Sequence, residues 1–377
     1  MAPERPAPPR IWRQAPSLVW FLILWVGTEL GAAFLLPLVV PGERYLDWFQ
    51  PPQADSSVAT FLRGEHTLLP DTLVGWRSAP LAQEGPWRTD SRGARTTGRW
   101  EWGDPAAINV LFSGSSLING GTTISNDETI SAALEGPWVR TMNFGTMLYG
   151  VDQTLLDYRT RLRAFRPDVL VVGVDTDALA PIQNVWVPLR RPDEVNMPFV
   201  KPRFRLAGDS LELVRVDPWE LLSLDDRGLL LRTAREEDGF AHVLDSFTRF
   251  RQTPLASLLL RGTEAVRYRL APSTGDPGEE LLLDRILEEL RRMLQEDGVR
   301  LVVLVTPPGR SATAADRERI GACIARWRSA GFEVVDGERA FVDHRVPGVE
   351  LFLEDGEHYT PAGNQVLAAA LAEVLAR

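Results

Sequence analysis

The chain has 377 residues, 44% of them hydrophobic and 24% charged, with a net charge of -10. That is enough for one large domain or two ordinary ones with a real core. The acidic balance, with no basic stripe, excludes a nucleic-acid-binding surface. The single cysteine, Cys323, cannot form an internal disulfide; beside Ile320, Ile324 and Trp327 at helical spacing it reads as a small core hydrophobe.

In chain order, Arg5, Arg10 and Arg13 precede residues 17–40, SLVWFLILWVGTELGAAFLLPLVV, an apolar run broken only by Glu29. At about 1.5 Å per residue such a helix spans the roughly 30 Å hydrocarbon layer of a membrane. The basic flank predicts a cytoplasmic tail over residues 1–16 and places the rest of the chain outside the cytoplasm, in a periplasm or extracellular space. A cleaved signal peptide competes with this reading, because Gly31 and Ala33 stand suitably before a cut at Phe34. The apolar run continues past that point as FLLPLVV, which favours a retained anchor. A third reading, a buried helix of a globular domain, is disfavoured because the segment is apolar all round. Glu29 near mid-membrane is costly and implies a membrane partner helix, protonation, or a shallower seat.

Residues 41–105 are rich in Pro, Gly, Trp and Arg without a sustained helical period, and read as a linker and irregular lead-in. From 106 to 377, short apolar runs alternate with helical patterns. Strands are expected at 108–113 (INVLFS), 139–144 (VRTMNF), 168–174 (DVLVVGV), 300–306 (RLVVLVT) and 332–336 (FEVVD). Between them, residues 151–165 carry Leu155, Tyr158, Leu162 and Phe165 at spacings of three and four. Residues 279–296 place Leu283, Ile286, Leu287, Leu290, Met293 and Leu294 on one helical face. Fully apolar strands separated by such helices predict an α/β fold: a three-layer α/β/α sandwich around a five-stranded parallel sheet. Residues 181–275 interrupt the alternation as an insertion, within which FRLAGDSLEL signals a hairpin.

The end of the first strand, LFSGSSLINGG at 111–121, turns through Gly114, Ser115 and Ser116. A phosphate loop would need a Lys after its second glycine, and here Gly121 and Thr122 follow Gly120, so that reading falls. Either a serine caps the next helix, or a serine is a nucleophile with a general base elsewhere. The C-terminal stretch EDGEHYTPAGN offers such a base. Asp355 and His358 are three apart, which on one helical turn sets the carboxylate beside the imidazole and leaves the other ring nitrogen available. Thr360 and Pro361 then read as N-cap and first residue of a final helix carrying Leu367, Leu371, Val374 and Leu375. His66, His242 and His344 have no comparable setting.

The order of strand, GSS, strand, NFG, strand, GVDTDAL and terminal DGEHYTPAGN resembles the SGNH (GDSL-type) serine hydrolase family over roughly residues 106–377. The lead-in WRTDSRGAR resembles the segment preceding the nucleophile block in membrane-anchored members. Carried over by residue, Ser116 matches the nucleophile, His358 the general base and Asp355 the residue that orients it. The resemblance implies a flavodoxin-like sheet, esterase or deacetylase chemistry on an ester or acylated carbohydrate, and neither a metal nor an organic cofactor.

Three positions depart from the family's pattern. Ser115 stands where the first block has Asp. The oxyanion glycine of the second block, counted from Asn143, falls at Leu148, whose amide can still donate. The third block's Asn aligns with Asp177, and an ionised carboxylate there would repel a developing oxyanion. Burial beside Val172 and Val174, with Asp175 as a like charge, would keep Asp177 protonated. Two function classes follow: an envelope-anchored serine ester hydrolase or acyl transferase, and a catalytically degenerate relative that binds glycan or acts as a scaffold.

Overall fold

The computed structural model describes residues 19–32, 55–190, 198–223, 227–241, 277–310, 312–344 and 347–377. The chain divides into two compact units, one of residues 1–54 with 242–272 and one of residues 55–241 with 273–377. In the first unit residues 19–32 are a helix whose apolar side chains, Val19 to Val26 and Leu30, are exposed. Among the described residues no helix is long and apolar enough to cross a membrane. The expected span 17–40 is described only over 19–32, so its remainder, the tail 1–16, the cut at Phe34, residues 41–54 and residues 242–275 of the insertion lie outside the described residues.

The second unit is built on a five-stranded sheet in which every pairing is parallel. Its strands are β1 (Ile108–Ser113), β2 (Val139–Asn143), β3 (Val169–Val174), β4 (Arg300–Val305) and β5 (Glu333–Asp336), in the spatial order 2-1-3-4-5. That is the flavodoxin-like order. β-Branched and large apolar residues fill the central strands, and all six residues of β3 are buried, as a sheet covered on both faces requires. The register sets Val110 of β1 opposite Val169 of β3, and Val169 opposite Arg300 of β4.

Alternate side chains of β1 serve opposite faces. Val110 and Phe112 join Val171, Val302 and Leu304 against Leu367, Leu371 and Leu375 of the last helix, α5 (Pro361–Leu375). On the other face the Ser113 hydroxyl lies 3.0 Å from that of Thr154 in α2 (Val151–Thr160). The long helix α3 (Pro277–Glu296) covers α2 and β4 there, burying Leu283, Ile286, Leu287, Leu290 and Leu294. Each fully buried Leu or Ile stabilises by about 1.5–3 kcal/mol relative to exposure. α4 (Ala314–Ser329) packs on β5 and buries Cys323 with Ile320, Ile324 and Trp327. The final helix opens as the sequence reads: Thr360 accepts from the Gly363 N–H at 3.2 Å and Pro361 is the first helical residue.

Residues 55–105, read as lead-in, carry a helix (Asp55–Leu62) and two short hairpins, Leu68–Asp71 with Gly75–Ser78 and Gln83–Glu84 with Trp87–Arg88. They belong to the same compact unit as the sheet. Trp76 is fully buried and donates to Met147 O at 2.9 Å; Gln153 of α2 donates to Val74 O at 2.7 Å. The insertion supplies the expected hairpin, Arg203–Ala207 with Ser210–Val214. It is fastened to α2 by a buried ion pair, Lys201 with Asp152.

Candidate active site

In a 2-1-3-4-5 sheet the connections leaving β1 and β3 diverge to opposite sides, and the crevice outside their carboxyl ends is the usual place for a ligand. The GSS turn leaves β1 at that point. Ser115, not Ser116, is the helix cap: its side chain accepts from the Leu117 N–H at 3.1 Å. Ser116 is the first residue of the one-turn helix α1 (Ser116–Asn119) and is partly exposed. Two glycines allow this turn to sit on the sheet. A Cβ at Gly114, whose φ is +151°, would lie 2.8 Å from Ile118 Cγ1, and a Cβ at Gly173 in β3 would overlap the same atom.

Asp355 and His358 do meet, though not on a helical turn. Residues 353–358 form a bend closed by the Phe352–Tyr359 bridge. Asp355 Oδ1 accepts from the Glu357 and His358 N–H groups at 2.8 and 2.9 Å, while Oδ2 lies 2.7 Å from His358 Nδ1. The bend takes the place of a helix because Asp355 caps the following amides with its own side chain. Burial opposes its ionisation, but those two amides and the imidazole outweigh it and hold the carboxyl below the usual range. Tyr359, buried next in the chain, donates to Pro307 O at 2.9 Å, and Arg310 N–H donates to Gly356 O at 2.8 Å. The loop after β4 thus holds the bend in place.

The serine and histidine segments come together at Gly121. A Cβ there would stand 3.2 Å from His358 Cδ2 and 3.5 Å from Nε2, so the imidazole lies against the turn that ends α1. Nε2 is shielded from solvent and has no hydrogen-bond partner among the described residues, so the bond from Ser116 to His358 is not formed here. Such bonds are often long without substrate and tighten in its complex.

Leu148 lies in the loop after β2 with φ +62°, the left-handed region that favours glycine. Neither its N–H nor that of Ser116 is used in a backbone hydrogen bond among the described residues. The loop is tied to α1 through Asn143, whose side chain donates to Ile118 O at 2.7 Å and accepts from the Gly145 N–H at 2.8 Å. Asn119 closes the link by donating to Gly145 O.

The third block requires a correction. Asp177 is not withdrawn beside Val172 and Val174: its side chain is 57% exposed and it pairs with Arg190 at 3.4 Å. The chain turns away beyond the end of β3, and Asp175 instead faces the GSS turn. Thr306 donates to Asp175 Oδ1 at 3.0 Å, and the Ser115 hydroxyl also favours its ionised form. Burial, then repulsion from Asp177, nevertheless raises the Asp175 carboxyl to about 6. Sequence reading took Arg95 only as the end of WRTDSRGAR and gave it no role; it is 1% exposed and bonds the turn after α1. Among the described residues no group of three or more His, Cys, Asp or Glu side chains is placed to hold a metal ion.

Residues 279–377 match the family model described as SGNH hydrolase-like domain, acetyltransferase AlgX. That segment carries Asp355 and His358 and does not reach back to Ser116. No curated protein matches the chain. Among solved structures, a protein of the G-D-S-L family from Desulfitobacterium hafniense aligns at 9% identity over 71% of this chain and 99% of its own, with a TM-score of 0.38. An acetylxylan esterase from Geobacillus stearothermophilus, in a catalytic mutant form, aligns at 12% identity over 72% and 94%, with a TM-score of 0.38. A lipase/acylhydrolase from Enterococcus faecalis aligns at 13% identity over 71% and 94%, with a TM-score of 0.36.

Proposed function

We propose that the chain is a serine acyl ester hydrolase or acyl transferase of SGNH type, with Ser116, His358 and Asp355 as its catalytic unit. One observation carries the reading: the Asp355–His358 pair, from the far end of the chain, is seated on the turn that begins at Ser116. Asp355 holds Nδ1, which leaves Nε2 to take the serine proton as the hydroxyl attacks an ester carbonyl. The imidazolium then returns a proton to the leaving alcohol. The N–H groups of Ser116 and Leu148 are the oxyanion donors, each worth about 2.7–4 kcal/mol in such sites. Water resolving the acyl-enzyme gives hydrolysis, and a sugar hydroxyl gives transfer. The C-terminal match to a family named for an acetyltransferase supports acyl chemistry, and an acylated glycan or other ester is the substrate class we assign.

A fluorophosphonate probe tests the reading, because it labels only an activated serine. Labelling is expected in the wild type and absent in Ser116→Ala and His358→Ala, both still folded. In ester cleavage the double variant should be little worse than either single one. A wild type that is not labelled refutes the reading and leaves the degenerate, glycan-binding alternative. The Arg-flanked segment 17–40 supports membrane anchoring with this domain outside the cytoplasm. A C-terminal reporter active only in the cytoplasm would refute that part.

A further inference from the structure

Arg95 is buried to 1% exposure, and its guanidinium donates to three backbone carbonyls and one side chain of the stretch 119–126. Nη1 donates to Asn119 O at 2.8 Å and to Gly121 O at 2.6 Å, Nη2 to Ile124 O, and Nε to the Asn126 side chain at 2.9 Å. Three carbonyls converging on one cation fix the peptide planes from 119 to 124. Gly121, against which His358 lies, is in the middle of that stretch. The Arg95 backbone meanwhile pairs both ways with Asn143, N to O at 2.8 Å and O to N at 3.3 Å. Asn143 in turn holds Ile118 O and the Gly145 N–H, so the loop of Leu148 is fixed from the same residue.

We propose that Arg95 is the positioning residue of the site, setting through one side chain and one backbone pair the nucleophile turn, the seat of the base and the oxyanion loop. It touches no reacting atom. A planar fork with five donors can hold three divergent carbonyls and an amide oxygen at once; a lysine ammonium on a flexible stem cannot. Burial lowers the guanidinium to about 10, which keeps it charged at neutral pH. Without it the three carbonyls lose their common donor and the 119–124 turn relaxes. A misplacement of about 1 Å between reacting groups costs on the order of 100-fold in rate.

The proposal rests on the hydrolase reading, and the experiment separates the two. Arg95→Ala and Arg95→Lys would be compared with wild type for thermal unfolding, for fluorophosphonate labelling and for kcat and KM on a small acetate ester. Arg95→Lys is expected to unfold cooperatively yet to lose on the order of 100-fold in labelling rate and in kcat, with KM nearly unchanged. Millimolar guanidinium should restore part of the labelling of Arg95→Ala. A folded Arg95→Lys labelled at the wild-type rate overturns the proposal. So does failure of both variants to fold, which would make Arg95 a structural residue alone. Absence of labelling in the wild type would overturn the hydrolase reading itself, and the proposal with it.

Discussion

Asp175→Asn is the most informative substitution near the site, because the fold holds this carboxyl against its preferred charge. Its ordinary value of 3.8 is raised to about 6, first by burial and then by the charge of Asp177; Ser115, Thr306 and Arg190 oppose the rise only in part. A raised acid means that the folded chain binds the proton more tightly than the unfolded one. Its contribution to stability is therefore complete below the unfolded value and is lost as pH climbs through the folded one. The rise corresponds to about 3 kcal/mol, at 1.36 kcal/mol per pH unit. The whole of it should disappear between about pH 4 and pH 7. Asparagine keeps the shape of the side chain and carries no proton to lose. Urea unfolding of both proteins across that range should show stability differing little near pH 4. The variant should then gain, relative to wild type, about 3 kcal/mol by pH 7. Asp177→Asn removes the second cause and should make the wild-type decline shallower. A difference between Asp175→Asn and wild type that stays flat with pH would refute the assignment of the strained carboxyl to Asp175.

Gly173→Ala would drive a methyl group into Ile118. Overpacking of this kind costs about 1–3 kcal/mol, and because Ile118 belongs to α1 the same change should slow labelling of Ser116; unfolding and labelling measured together check it. Lys201→Met leaves Asp152 buried without its counter-charge and should cost about 3–5 kcal/mol. Replacing both partners by Met and Leu should recover most of that loss, and a double-mutant cycle by urea unfolding would show whether it does.

The sheet was legible because its strands are short, centred on apolar runs such as VLVVGV and LVVLV, and punctuated by helices. β1 matches its expected span, and the other four differ only by a flanking residue such as Asp168 or Phe332. The closeness of Asp355 and His358 was legible because three residues suffice to bring them together, in a bend as well as on a helix. Asp175 was read only as a like charge beside Asp177, because the alignment of GVDTDAL depends on where β3 ends. Two residues along an extended chain bring a side chain back to the same face, but the turn begins at Thr176 and breaks that rule. Arg95 was visible only as the last residue of the WRTDSRGAR segment, with nothing local to give it a role. Its partners are carbonyls 24 to 29 residues further on, and a backbone acceptor has no residue type by which a sequence can announce it.

The expected start of the domain at residue 106 can be put to a sharp test. A chain of residues 106–377 keeps the whole sheet, Ser116, Asp355 and His358. It loses the guanidinium of Arg95, the Trp87 side chain that donates to Asn119 at 3.0 Å, and Trp76 with its bond to Met147. Trp76 and Trp87 are both buried, and removing one such side chain costs about 3–5 kcal/mol. Losing both, with the Arg95 bonds, approaches or exceeds the total stability of about 5–15 kcal/mol that most domains possess. Residues 106–377 should therefore fail to unfold cooperatively and should not be labelled at Ser116, while residues 55–377 should do both. Cooperative unfolding of 106–377 with labelling at the rate of 55–377 would show that residues 55–105 are only a lead-in.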